Sequence, residues 1–233
     1  MKKIIKTFLL GVLAGVAISF GGLVFLFCKS EGYPILGSFL FSVGLLIVCS
    51  FGLNLYTGKI GYVLVNKKRY LLDLLIMYIG NFVGAVGTGL LMKLCNCGGE
   101  TLKTTVEKVS NNKLFNIVEG GKTWYYLIIM GFFCGALVFL AVDMFKKENI
   151  HPVIKVFILI GCVGAFVASG FEHCVADMFY FGFSGVLFSS SSGAAFLSLL
   201  FITLGNSLGS IAIHAILYLS SNQQEDPYPL NKV

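Results

Sequence analysis

The residues of this sequence that are best placed to do chemistry lie in the stretch Ser169–Phe179, which reads SGFEHCVADMF. It sets Glu172, His173 and Asp177 inside one of the most apolar regions of the chain. Ionisable side chains are costly in a membrane interior, so they mark either a pathway or a polar cluster that holds a broken helix together. His173 and Asp177 share one helical face if the segment is helical. A histidine at such a point can donate a hydrogen bond or a proton to a small anion.

The composition identifies an integral membrane protein. Of the 233 residues, 57% are hydrophobic and 12% are charged, whereas a soluble domain carries about 25% charged residues. Each membrane span needs roughly 20 apolar residues. Apolar runs occur at about 7–28, 36–66, 70–93, 123–145, 153–180 and 193–219. The sequence therefore predicts an all-α membrane protein with six transmembrane helices, forming a single channel domain over residues 1–233.

Glycine-containing motifs recur in the same order in the two halves of the chain. The second copy follows the first after 118 to 125 positions, pairing Gly11 with Gly131, Gly52 with Gly170, and Gly80-Asn81 with Gly205-Asn206. Two repeats of three helices each must enter the membrane in opposite directions. The sequence thus predicts inverted repeats at about 7–93 and 123–219. The alternative is that glycines recur only because small residues let helices approach closely.

Helices 2 and 5 of the six are predicted to be broken, near residues 52–59 and 168–173. A break leaves backbone groups that lipid cannot satisfy, so it survives only where it is buried or lines a water-filled cavity. In the first break, Asn54 and Thr57 offer side-chain hydrogen bonds; a hydroxyl bonded back to its own helix is the alternative for Thr57. Two facing breaks predict a lined path across the membrane.

The distribution of basic residues predicts the orientation. Lysine and arginine are concentrated at residues 2–6, 67–69 and 146–147, which lie on one side of the predicted topology. By the positive-inside rule, both termini of this multi-pass protein are expected in the cytoplasm, and the protein in the cell (inner or plasma) membrane. The net charge of +6 comes from these loops and not from a nucleic-acid-binding stripe. Cys95 and Cys97 alone are too few for a metal site, and no cofactor is predicted.

These motifs resemble the formate/nitrite transporter family. SGFEHCVADMF is similar to the family signature GFEHS-(V/I)-AN-M, and further matches follow in order over nearly the whole chain. They read AGVAISFGG, FSVGL, LYTG, GNFVGA, GFFCGALVFLAV and LGNSLGS. The resemblance implies an aquaporin-like protomer in the lipid bilayer, assembled as a homopentamer with one pore per protomer. It implies a channel for small monovalent anions and protons, and not an enzyme.

The resemblance also implies the residues of the substrate pathway. His173 matches the central pore histidine, Thr57 the threonine of the broken second helix, and Asn206 the polar residue of the sixth helix. The vestibule lysine that attracts the anion is assigned to Lys122, because this residue directly precedes the fourth helix. An ordinary interfacial lysine is the alternative for Lys122.

Hydrophobic constrictions and polar support complete the predicted site. Phe41 and Leu45 match one constriction of the family, and Phe166 matches the other. The polar support consists of Asn54, Glu172 and Asp177. The constrictions would reject hydrated ions, and His173 would hydrogen-bond or protonate the anion so that a neutral acid crosses the apolar throat.

Three positions depart from the family pattern. Asp177 and Gly135 stand where the family has asparagine, and Asp143 stands where tryptophan is frequent. An added carboxylate beside His173 repels an anion unless it is protonated or paired, and the missing asparagine at Gly135 removes one partner for the broken-helix backbone. Formate is the leading predicted substrate, followed by nitrite. Hydrosulfide conduction and a non-transporting structural or regulatory protein of the same fold are the alternatives.

Overall fold

Four long helices form the frame of the protein. The computed structural model describes residues 2–115 and 122–220; Met1, residues 116–121 and the tail 221–233 lie outside the described residues. The four helices that are long and apolar enough to cross a membrane are α1 (Lys2–Ser30), α4 (Arg69–Leu94), α6 (Trp124–Lys146) and α9 (Ser192–Ser220). The membrane side at which α1 begins is called the N-terminal side below, and the opposite side is called the far side.

The second and fifth spans are interrupted, as predicted. The second consists of α2 (Pro34–Leu40), α3 (Ser42–Ser50), an irregular segment and a 3₁₀ helix (Ile60–Val65); the fifth consists of α7 (Pro152–Ala168), an irregular segment and α8 (Cys174–Ser184). The all-α prediction with six spans and two broken helices is therefore confirmed. The second span does not resume as an α-helix after its break, because the segment IGYVLV contains one glycine and three β-branched residues, which have weak helix propensity.

A further helix, α5 (Gly99–Asn111), lies between α4 and α6. The apolar runs did not predict it, because it is amphipathic and too short and polar to span a membrane. It buries Leu102, Val106 and Val109, and the hydroxyl of Ser110 donates to the carbonyl of Tyr180 at 3.0 Å. This contact docks α5 on α8 and brings the residues that follow α5 close to the second break. A short helix, Val186–Phe188, connects α8 to α9.

The two repeats share one packing plan, in which α1 lies along α4 and α6 lies along α9. A Cβ atom at Gly15 would overlap the carbonyl oxygen of Asn81, and one at Gly135 would overlap that of Asn206. The glycines therefore allow the helix backbones to touch. The expectation that Gly135 costs the broken helix a partner is wrong, because the backbone of α9 occupies the space that an asparagine side chain would need.

Candidate functional site

The first break is held by Asn81, which projects from α4. Its Nδ2 donates to the carbonyls of Gly11 and Asn54, both at 2.8 Å, and its Oδ1 accepts from the backbone N–H of Tyr56 at 2.9 Å. The bonds to Asn54 and Tyr56 satisfy backbone groups that the broken helix leaves without intrahelical partners, and the bond to Gly11 ties the break to α1. Asn81 was not among the predicted site residues, although the repeated Gly-Asn motif was a signal for it.

The second break is held in the same way by Asn206 of α9. Its Nδ2 donates to the carbonyls of Gly131 and Glu172, both at 2.8 Å, and its Oδ1 accepts from the N–H of Cys174 at 2.9 Å. The amide of Asn206 is thus engaged with the backbone, whereas the family resemblance implied a residue of the substrate pathway. The matching bonds of Asn81 and Asn206 show that the two breaks are equivalent structures.

Thr57 and His173 meet where the two breaks face each other. Thr57 Oγ1 lies 3.0 Å from His173 Nε2, and the two residues are 0% and 3% exposed. His173 Nδ1 accepts a hydrogen bond from the N–H of Ala176 at 3.2 Å, so the histidine also caps the start of α8. Because Nδ1 is an acceptor, the neutral ring carries its proton on Nε2. The imidazole therefore presents an N–H donor toward Thr57.

An apolar layer adjoins this polar pair. The ring of Phe166 stacks on His173 with 5.9 Å between the centroids, and Phe41 meets Phe166 edge-on at 5.8 Å. Leu45 is buried one turn beyond Phe41 on the same span. Phe41 and Phe166 thus lie in one layer, whereas the family resemblance assigned them to two separate constrictions. The reason is that α7 packs against both α2 and α3.

A charged cluster lies next to His173 at the second break. Lys113 Nζ donates to Glu172 Oε2 and lies 3.0 Å from Asp177 Oδ1. The Asp177 side chain is 0% exposed, and within the described part of the chain neither of its oxygens accepts a hydrogen bond, so this contact is an ion pair without hydrogen-bond geometry. Burial lowers the pKa of Lys113, but Asp177 and Glu172 together raise it more, and the pKa ends above its ordinary value. The lysine remains charged, and Asp177 is paired.

Lys122 does not join this cluster. Its Nζ lies 3.9 Å from the centroid of the Tyr126 ring, a cation–π contact. The lysine that contacts Glu172 is Lys113, which was not among the predicted site residues because it lies in a polar connection between helices. Its place depends on α5 docking against α8, and no local pattern indicates that contact.

The N-terminal side carries a second set of polar contacts. Lys59 Nζ donates to Asn54 Oδ1 at 2.7 Å, and Asn54 Nδ2 donates to the carbonyl of Thr7 at 3.2 Å. Asp143, the third departure from the family pattern, is buried and accepts a hydrogen bond from the hydroxyl of Tyr62 at 2.9 Å. Asp143 therefore belongs to this side and lies apart from the Lys113 cluster.

The comparisons with known proteins agree on one family. The model of a family described as formate/nitrite transporter matches residues 1–220. The chain is 28% identical over 201 residues to the formate channel FocA of Haemophilus influenzae, covering 76% of this chain and 66% of that protein. The chain thus spans just under two thirds of that relative's length. It is 28% identical over 210 residues to the nitrite transporter NirC of Salmonella typhimurium, covering 84% and 74%.

The fold has a close counterpart among solved structures, and one further relative matches over most of its length. A chain described as a pentameric formate channel with formate bound superposes with a TM-score of 0.79 at 25% identity, covering 94% of this chain and 97% of that chain. A probable formate transporter of Methanothermobacter thermautotrophicus is 29% identical over 245 residues, covering 91% and 87%. The match extends over both repeats and both breaks.

Proposed function

Since this chain belongs to the formate/nitrite transporter family, we propose that it conducts small monovalent anions through each protomer, with formate as the leading substrate and nitrite next. The observation that carries the proposal is the contact of Thr57 with His173 between the two helix breaks. Broken backbone at membrane depth is tolerated where it lines a path. A buried hydrogen-bond donor at that point supplies a partner for an anion, and conduction needs no covalent step or enzyme activity.

The apolar layer supports permeation as a neutral acid. The buried side chains of Phe41, Leu45 and Phe166 offer no group that replaces the water lost by an ion. Moving an isolated carboxylate into such a medium costs far more than moving a neutral polar group. We infer that His173 hydrogen-bonds the anion and, once Nδ1 has released its bond to Ala176 and taken up a second proton, transfers the Nε2 proton to the anion, so that formic acid crosses the layer. Lys113 offsets the carboxylates of Glu172 and Asp177, which would otherwise repel the anion on the far side.

The assembly and the orientation belong to the same proposal. A homopentamer is supported by the similarity to a pentameric formate channel. The apolar helices and the family make the chain a multi-pass membrane protein. Placement of the N-terminal side in the cytoplasm, in the cell membrane, is supported by the concentration of lysine and arginine there.

Flux measurements test the substrate. Purified protein in proteoliposomes is expected to admit formate and nitrite, faster at lower external pH because more of the neutral acid is present. The readouts are light scattering for swelling and an internal dye for pH, with protein-free liposomes as the control. Conduction of hydrosulfide without formate or nitrite would replace the proposed substrate, and no flux of any of the three anions would refute the channel.

Substitution of each of the two candidate lysines by glutamine tests which one contributes to the anion pathway. Lys113→Gln leaves Glu172 and Asp177 without their cation, so we expect formate flux to fall about tenfold and the free energy of unfolding to fall by about 3 kcal/mol, as when a buried pair loses one partner. Lys122→Gln is the matched control and should leave both unchanged. Initial flux and thermal unfolding in detergent measure the two effects.

A second substitution distinguishes the effect of the unpaired carboxylates from the effect of the lost packing of the lysine side chain. Adding Asp177→Asn to Lys113→Gln removes one of the unpaired carboxylates and should restore part of the stability. An equal loss of flux in Lys122→Gln, or unchanged flux in Lys113→Gln, would contradict the assignment to Lys113.

A further inference from the structure

The two helix breaks are equivalent in backbone structure. The N–H of Asn54 donates to the carbonyl of Leu10 at 3.2 Å, and the N–H of Glu172 donates to that of Met130 at 3.4 Å. The carbonyls of Asn54 and Glu172 accept from the two asparagines that hold the breaks. Each of the two residues also follows a glycine with positive φ by two positions. Asn54 therefore occupies the place of Glu172 in the inverted repeat.

The same two places carry opposite charge. Lys59 follows Asn54 at the spacing with which Asp177 follows Glu172. The second repeat thus has two carboxylates, which share the ammonium group of Lys113. The first repeat has a neutral amide and a lysine that is part of the break itself. The two mouths of the path are therefore different in charge although their backbones match.

The ammonium group of Lys59 has more N–H donors than it uses within the described residues. It has three N–H groups, and one of them bonds Asn54 Oδ1 at 2.7 Å. Over residues 2–115 and 122–220, none of the ion pairs within 4.0 Å involves Lys59. The residue is half-buried, and its carbonyl accepts from the Tyr70 hydroxyl at 2.8 Å. The group is thus held in place with charge that no carboxylate of the described residues neutralises.

A second cation faces the same mouth. Lys146, at the end of α6, contacts Tyr62, which follows Lys59 by three residues: the Lys146 Nζ lies 3.5 Å from the Tyr62 hydroxyl. Its Nζ also lies 4.4 Å from the centroid of the Tyr62 ring, and the residue as a whole is exposed. Lys147 lies 3.9 Å from Asp143 Oδ2 on the same side. Lys59, Lys146 and Lys147 together therefore outnumber this carboxylate and leave the N-terminal mouth electropositive.

We propose that Lys59, oriented by Asn54 and assisted by Lys146, forms a binding site for a small monovalent carboxylate or oxyanion at the N-terminal mouth of the path. An unpaired charge in a membrane span requires a partner, and here an anion from solution supplies it through the unused N–H donors. The proposal rests on the proposed anion conduction and adds an asymmetry to it. The charge of Lys113 is paired with two carboxylates, whereas the charge of Lys59 is available to the substrate anion.

Equilibrium binding tests the site directly. Radiolabelled formate is titrated into the purified protein in lipid nanodiscs at low ionic strength, where screening is weak. Lys59→Gln should weaken binding by about tenfold or more, the effect of losing a hydrogen bond to a charged group. Asn54→Asp should weaken it similarly, because a carboxylate beside Lys59 neutralises the lysine without removing it. Lys68→Gln, an exposed lysine on the same side, is the control and should bind as the wild type does.

Each outcome decides the proposal. Wild-type affinity in both Lys59→Gln and Asn54→Asp would overturn it, and so would an equal loss in Lys68→Gln. If Lys59→Gln does not fold, Asn54→Asp alone decides, because it retains the lysine and adds an ion pair. Flux in proteoliposomes keeps the two proposals apart. Protein that binds formate through Lys59 but conducts no anion refutes the channel only, and protein that conducts formate with binding unaffected by both substitutions refutes this site only.

Discussion

Replacement of His173 by asparagine is expected to uncouple proton movement from formate flux. Asparagine can still cap α8 in place of the ring nitrogen that bonds Ala176, since it is a favoured N-cap residue. It cannot bind and release a proton near neutral pH. Formate-dependent proton movement should fall by about 100-fold, the lower end of what a positioned proton donor contributes, while the folded protein remains stable.

An internal pH dye measures this effect in proteoliposomes under a formate gradient. Thr57→Val is the matched control, because it removes the hydroxyl 3.0 Å from His173 Nε2 and leaves the imidazole in place. It should lower anion flux and preserve proton coupling. Unchanged coupling in His173→Asn would show that the imidazole neither donates nor relays the proton.

Replacement of Asn206 by alanine is expected to destabilise the fold severely. Three backbone groups, on Gly131, Glu172 and Cys174, would lose their side-chain partner. The carbonyl of Gly131 retains its hydrogen bond within α6, but the Glu172 carbonyl and the Cys174 N–H lie at the break and would be left without a partner. A buried polar group without a partner costs about 1–3 kcal/mol, so the two losses together approach the stability of a typical domain, about 5–15 kcal/mol. The variant should fail to accumulate as a folded oligomer.

Size-exclusion chromatography and thermal unfolding in detergent measure this loss. Leu208→Ala lies on the same helix at a position 45% exposed and should behave like the wild type. Asn81→Ala should be as damaging as Asn206→Ala, because Asn81 makes the three equivalent bonds in the first break. A melting temperature of Asn206→Ala within a few degrees of the Leu208→Ala value would contradict the role of the asparagines.

The amino-acid sequence alone determined the architecture of this protein. Bilayer thickness sets the length of an apolar span, so the six runs predicted the spans, including those that are broken. The glycine motifs predicted the shared packing plan, because a backbone contact such as that between Gly135 and α9 excludes any Cβ atom. The same local logic selected His173 and Thr57, since a polar residue beside a helix break has few other reasons to be there.

The tertiary structure alone decided which side chains meet. Lys113 reaches Glu172 and Asp177 because α5 docks on α8, and Phe41 touches Phe166 because α7 packs across the second span. Contacts between segments far apart in the chain depend on how the helices are placed in three dimensions, and hydropathy and spacing carry no information about that placement. The sequence therefore determined the spans, the breaks and the central pair, and the packing of helices decided the charge partner of Asp177.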